Sequence, residues 1–255
     1  MAMINLFYPK SAQISAQEVQ INMRHQLELA CCALAPLTAD ILRELEPKLS
    51  NFYLCPETPL RSLYCCGVVS KCLGYLLTLR GFEVERYHAR LTAHYYPSVD
   101  HSILTVGRDP PIIVDGAYHQ FLRVLPRHSA MLPSDDILIG TSSELRTRAA
   151  QLAALVSDGA YIKVTCVYHG YAHSREIQMS RAALEDYFYY LWDYQGEHYR
   201  RQSNHDGKWG AGLRSELLIF MEQREQMPEG ESLWVLRALE QRGLLTGVCR
   251  FTEQA

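Results

Sequence analysis

The hydrophobic period of the chain changes at Gly81, and that change limits the fold more than any other feature. Upstream, Cys66, Val69, Leu73, Leu76 and Leu77 recur at i, i+3, i+7, i+10 and i+11, the one-sided stripe of a helix. The spacing predicts a helix over Leu63–Arg80, with Gly81 standing where a left-handed C-cap belongs. Downstream, Phe82, Val84, Arg86, His88 and Arg90 alternate with Glu83, Glu85, Tyr87, Ala89 and Leu91, the period of a strand. Two short apolar runs follow, His101–Val106 and Pro111–Asp115, joined by a turn through Gly107–Pro110. A helix followed by three closely spaced strands implies an α+β fold with the helix packed on an antiparallel sheet.

The flanking segments read mainly as helices. Ser15-Ala16-Gln17-Glu18 has the form of a capping box, and Val19, Ile21, Leu27, Leu29 and Ala30 supply apolar positions after it. Pro36 is expected to end that helix, with a second one over Thr38–Leu49 and a loop over Asn51–Pro59. Thr141-Ser142-Ser143-Glu144 is another capping box, opening a helix to about Val156. Tyr161–Tyr168 and Ala172–Met179 flank His169-Gly170-Tyr171 as a hairpin. Ser180 begins an aromatic-rich helix, Gln195–Gly212 reads as a polar surface loop, and helices over Leu213–Gln223 and Ser232–Arg242 close the chain, with Gly243 as C-cap. The division is a core over residues 1–140 with a C-terminal α+β extension over 141–255, packed on it as one unit.

With 48% hydrophobic and 21% charged residues the chain is of ordinary globular composition. A net charge of -3 offers no basic stripe, so nucleic acid is not an expected partner. No run approaches the roughly 18 apolar residues that span a bilayer. The start, MAMINLFYPK, puts its lysine after the apolar run and makes a poor secretory signal. Eight cysteines include two sequence-adjacent pairs and no CxxC, which favours reduced thiols in a cytoplasmic compartment, with signal-independent export still open, and speaks against structural zinc.

One cysteine stands where chemistry is favoured. A thiol attacks a carbonyl as thiolate, and a helix N-terminus supplies unpaired N–H groups and the positive end of the dipole. Cys66 opens the predicted helix, and Gly67 beside it would leave room for a substrate backbone. His101 opens one predicted strand and Asp115 ends the next, so antiparallel pairing would set a carboxylate beside an imidazole at one sheet edge. The bland readings are a buried cysteine, a strand histidine and an Asp-Gly turn. Cys65 and His119 are the nearest rivals for nucleophile and base. Tyr187, Phe188, Tyr189, Tyr190 and Trp192 read as core and rim, and Asn204-His205-Asp206 as solvated loop.

Three ordered blocks carry a resemblance. Cys66 followed by a helix to Gly81-Phe82, then Asp100-His101-Ser102-Ile103-Leu104-Thr105-Val106, then Ile113-Val114-Asp115-Gly116-Ala117-Tyr118-His119-Gln120-Phe121, together resemble the transglutaminase-like superfamily, of papain-like Cys-His-Asp architecture. The order is more distantly similar to that of the arylamine N-acetyltransferases. Gly67-Val68-Val69-Ser70 replaces the Glu and Asn that follow the nucleophile in those acetyltransferases, and the Gly-Gln-Cys-Trp of animal transglutaminases is absent. Neither arylamine acetylation nor calcium-dependent crosslinking is therefore implied.

The resemblance implies a catalytic triad of Cys66, His101 and Asp115 in acyl transfer through a thioester, with transamidation or deamidation of a glutamine or related amide. Partners would be a protein or carrier-bound amide or thioester, with an amine or water as acceptor. No cofactor and no metal are required. Alternatives in the same chemistry are a biosynthetic acyltransferase that joins a carrier-bound thioester to an amine, and a cysteine protease. A non-catalytic binding module is disfavoured by the intact Cys/His/Asp order.

Overall fold

The computed structural model describes residues 16–49, 66–91, 99–125, 136–168, 171–201 and 212–245. Its helices are α1 (Ala16–Leu49), α2 (Cys66–Leu79), α3 (Ser142–Ala153), α4 (Arg181–Tyr190), α5 (Leu213–Gln223) and α6 (Glu231–Gln241). Its strands are β1 (Val84–Leu91), β2 (Val99–Val106), β3 (Ile112–Asp115), β4 (Leu138–Gly140), β5 (Tyr161–Tyr168), β6 (Tyr171–Gln178) and β7 (Tyr199–Arg201). The fold is α+β. The expected Ser15 cap, the Asn51–Pro59 loop, Leu63 to Cys65, the His169-Gly170 turn and Asn204-His205-Asp206 lie outside the described residues.

The change of period at Gly81 is present as a Schellman turn. Gly81 takes φ +87°, its N–H donates to Thr78 O at 2.9 Å, and the Phe82 N–H donates to Leu77 O at 3.2 Å. From there the chain runs into a five-stranded antiparallel sheet of order β4-β3-β2-β1-β7. β5 and β6 pair separately, from Tyr161↔Gln178 to Tyr168↔Tyr171.

Strand alternation gives the sheet two apolar faces. Leu104, Val106, Ile112 and Val114 pack with α1, α2, α5 and α6, while Ala89, Ile103 and Ile113 pack with Tyr118, Phe121, Phe188 and Trp192. α2 shows more than the single stripe expected of it. Besides Cys66, Val69, Leu73, Leu76 and Leu77, it buries Val68, Ser70, Cys72, Gly74, Tyr75 and Thr78, because helices and sheet enclose it on several sides.

Two expectations are corrected. Pro36 does not end a helix: α1 continues through it to Leu49. Pro36 lies on the exposed side, and the buried stripe Leu27, Ala30, Cys31, Leu34, Ala35, Thr38, Ile41, Leu42, Leu45 and Leu49 passes it without a break. Tertiary burial of that stripe offsets the roughly 3 kcal/mol that an internal proline costs. Ile21 and Leu29 are on the outer side, 62% and 53% exposed. The segment read as a Gln195–Gly212 loop contains β7, which joins the free edge of β1 through Ala89↔Tyr199, His88↔Arg200 and Tyr87↔Arg201. A three-residue strand is too short for alternation to announce it.

The remaining elements follow their punctuation. Thr141 and Glu144 form the reciprocal capping box of α3, Ser180 Oγ accepts the Ala183 N–H at 3.1 Å to start α4, and Gly243 (φ +68°) closes α6. Among the described residues no helix is long and apolar enough to cross a membrane.

Gly116 records how closely α2 approaches the sheet. A Cβ there would stand 2.8 Å from Val69 Cγ1 and 3.6 Å from Leu73 Cδ2. Gly116→Ala should therefore cost about 1–3 kcal/mol, the usual range for overpacking, in urea unfolding. Unchanged stability would mean that helix and sheet are less closely packed than described.

Candidate active site

Local structure brings Cys66, His101 and Asp115 to one place. Cys66 is the first residue of α2, His101 the third residue of β2, and Asp115 the last of β3. β2 and β3 pair antiparallel through Leu104↔Val114, so continuing that register sets Ile103 opposite Asp115 and brings His101 and Asp115 within reach on one face.

His101 Nε2 lies 2.9 Å from Asp115 Oδ2, and both side chains are fully buried. Cys66 lies close enough to His101 to act on its titration through both hydrogen bonding and charge. Cys66 alone of the three retains exposure, at 7%, so it is the part of the trio open to solvent.

Asp115 is held from further directions. Its Oδ1 accepts the Ala117 N–H at 2.9 Å, and its Oδ2 also accepts the Trp192 indole N–H at 3.1 Å. A buried carboxylate costs several kcal/mol without partners, and three donors supply what water would otherwise give. Phe121 meets the His101 ring edge-on, with centroids 4.7 Å apart. Gln120 Nε2 stands 3.4 Å from His101 Nδ1, the ring nitrogen not engaged by Asp115.

Burial pulls the His101 pKa down, but the Asp115 charge and hydrogen bond, with Cys66 adding in the same direction, outweigh it and raise the pKa to about 9. The imidazole is therefore protonated at neutral pH, the state in which it can hold a thiolate and later protonate a leaving group. Tyr199 borders the same centre. Burial first, then the nearby Asp115 and Cys66 charges, push its phenol well above the usual range, and its hydroxyl donates to Leu191 O at 2.6 Å.

The other candidates separate from the site. Cys72 is fully buried, and burial pushes its thiol up to about 12, as suits a packing residue. The His119 ring lies tilted against Tyr118, centroids 4.1 Å apart, while Asp115 turns to His101. The space beside Gly67 is not open to substrate as expected. A Cβ there would meet Glu231 Oε2 at 2.9 Å, and that carboxylate also takes Lys71 Nζ at 3.2 Å.

Sequence reasoning placed Trp192 in the core and missed its bond to Asp115. An aromatic run signals burial, and nothing in it marks the one indole N–H that points across 77 residues. Tyr199 was hidden in the segment read as loop. Among the described residues no group of three or more His, Cys, Asp or Glu could hold a metal ion. Comparison with protein-family models, with curated proteins and with solved structures gives no match.

A pKa raised from 6.5 to about 9 on folding stabilises the native state fully below pH 6.5, and that contribution is lost as pH rises through about 9. The urea midpoint should fall across this window in the wild type. In Asp115→Asn most of that slope should vanish, since burial alone would push the imidazole down. Equal slopes in both proteins would contradict the paired state of His101.

Proposed function

We propose that this chain is a cysteine acyltransferase that works through a thioester on Cys66. The observation that carries the reading is the chain of contacts from a slightly exposed thiol, through a fully buried imidazole, to a carboxylate with three donors. Structural cysteines and histidines have no need of that order, whereas an activated nucleophile does.

In the reaction, the Cys66 thiolate attacks the carbonyl carbon of a carboxamide or thioester. The oxyanion faces the N–H groups of the first turn of α2, which have no partner within the helix. The C–N or C–S bond breaks, His101 gives its proton to the departing amine or thiol, and an acyl thioester remains on Cys66. An amine or water then attacks this thioester, passing its proton to His101 and restoring the thiolate–imidazolium pair. Asp115 keeps its hydrogen bond to the ring and holds it in place.

The order of the three sequence blocks resembles transglutaminase-like enzymes, which narrows the donor to a glutamine or related amide and the outcome to transamidation or deamidation. A nucleophilic thiol functions only when reduced, so we assign the chain to a reducing, cytoplasmic-type compartment.

p-Nitrophenyl acetate tests acyl transfer without knowledge of the natural donor. The wild type should release a burst of about one p-nitrophenol per chain and gain one acetyl group on Cys66. Cys66→Ala should give no burst. His101→Ala should be nearly as inactive, and Asp115→Asn should retain a trace, because such groups act as a unit. Cys72→Ala and His119→Ala should stay within about tenfold of wild type. A full burst in Cys66→Ala, or acetyl found on another cysteine, would refute the assignment.

A further inference from the structure

A buried cation sits behind the nucleophile and on the opposite face of the sheet from His101. Arg86 on β1 is 7% exposed, and its guanidinium reaches two serines that are 3% and 1% exposed, Ser70 and Ser102. Its Nε donates to Ser70 Oγ at 2.9 Å and its Nη2 to Ser102 Oγ at 3.1 Å. The Ser70 hydroxyl in turn donates to the carbonyl of Gly67 at 3.0 Å, the residue after Cys66. Ser102 directly follows His101 in β2, and its Oγ lies 2.7 Å from His88 Nδ1.

We propose that Arg86 is the positioning residue that sets Cys66 against His101, by joining the first turn of α2 to the strand residue beside the base. The inference rests on the proposed acyl-transfer site, and adds to it a group that touches none of the reacting atoms.

The physical case has three parts. A guanidinium is a planar fork with several fixed donors, so one side chain can hold two hydroxyls at a set separation, which an ammonium on a flexible stem does poorly. Ser102 directly follows His101, and Ser70 reaches the residue after Cys66 through the Gly67 carbonyl, so a shift in either is passed to the Cys66–His101 contact. A buried charge that only stapled secondary structure would also be an expensive choice, since apolar packing does that at lower desolvation cost.

Other buried polar groups surround Arg86. Glu216 of α5 lies within electrostatic reach, is 3% exposed, and accepts a short hydrogen bond from the Tyr75 hydroxyl of α2. Burial raises the pKa of Glu216, while Tyr75, Lys71 and Arg86 pull it back. Ser232 of α6 reaches the same carboxylate at 3.5 Å, and Lys71 of α2 is paired with Glu231 of α6. From β1 and β2 the facing groups are His88 and Ser102. The network thus ties both C-terminal helices to the back of the nucleophile helix.

The test reads the His101 imidazole by NMR titration and the Cys66 alkylation rate with iodoacetamide at about pH 7, in the full chain. The variants are Ser70→Ala, Arg86→Lys and Arg86→Met. Cys66 is one of the groups that hold the His101 pKa up, so loosening their contact lowers the His101 midpoint. Ser70→Ala and both Arg86 variants should lower it by about one pH unit and slow Cys66 alkylation roughly tenfold. The sign separates positioning from simple charge: removing a nearby cation in Arg86→Met would by itself raise the midpoint.

Arg108→Met removes an exposed arginine paired with Glu83 and should change neither reading. A midpoint that stays put or rises in Ser70→Ala and Arg86→Lys overturns the proposal, even if thermal stability falls. Should Arg86→Met fail to fold, the charge-neutral Ser70→Ala decides alone. A wild-type Cys66 no more reactive than an ordinary thiol would instead count against the acyl-transfer reading, and the NMR titration would still judge Arg86.

Discussion

Two ionisable groups without any exposure, His101 and Asp115, impose the main constraint on this molecule. Charges withdrawn from water are tolerated only when protein dipoles and counter-charges replace the lost hydration. Three separate segments contribute to that replacement. β2 and β3 bring the pair to 2.9 Å, the turn after β3 offers the Ala117 N–H, and the segment after α4 sends in the Trp192 indole. Removing one donor leaves an imperfectly compensated charge, so the site and the fold around it share part of their stability.

The second constraint is steric. α2 must lie close enough to the sheet for its first residue to meet a ring from the other apolar layer. Gly116 allows that approach, because any larger residue would press on Val69. Arg86 and its two serines bridge the same helix and sheet by hydrogen bonds on the far side. Apolar contact sets the distance between the layers, and polar contact sets their register. The proposed reaction, which needs Cys66 and His101 held closely together, calls for both.

The parts of this arrangement that were legible in the sequence are those written in local periodicity and turn chemistry. Gly81 and Gly243 announced helix ends, Thr141 and Ser180 announced helix starts, and strand spacing placed His101 and Asp115 on neighbouring strands. The parts that were not legible depend on contacts distant in sequence. Pro36 misled because the burial that carries α1 past it comes from other helices. β7 is strand only because β1 has a free edge for it. Gly67 resembled an opening for substrate until Glu231, from the far end of the chain, was seen to occupy the space. Trp192 and Arg86 carry no local mark of what they bind.

The central claim is that Cys66 is activated by His101 and Asp115, and competition between thiols measures it most directly. Cys32 is exposed on α1, whereas Cys66 is 7% exposed, so access alone favours Cys32. Stoichiometric iodoacetamide at about pH 6, followed by peptide mass mapping, sets access against activation, since only thiolate reacts and an ordinary thiol is almost wholly protonated there. The account predicts that Cys66 is labelled first and that Asp115→Asn abolishes its lead. Labelling that begins at Cys32 or any other cysteine, with Cys66 late or silent, would contradict it.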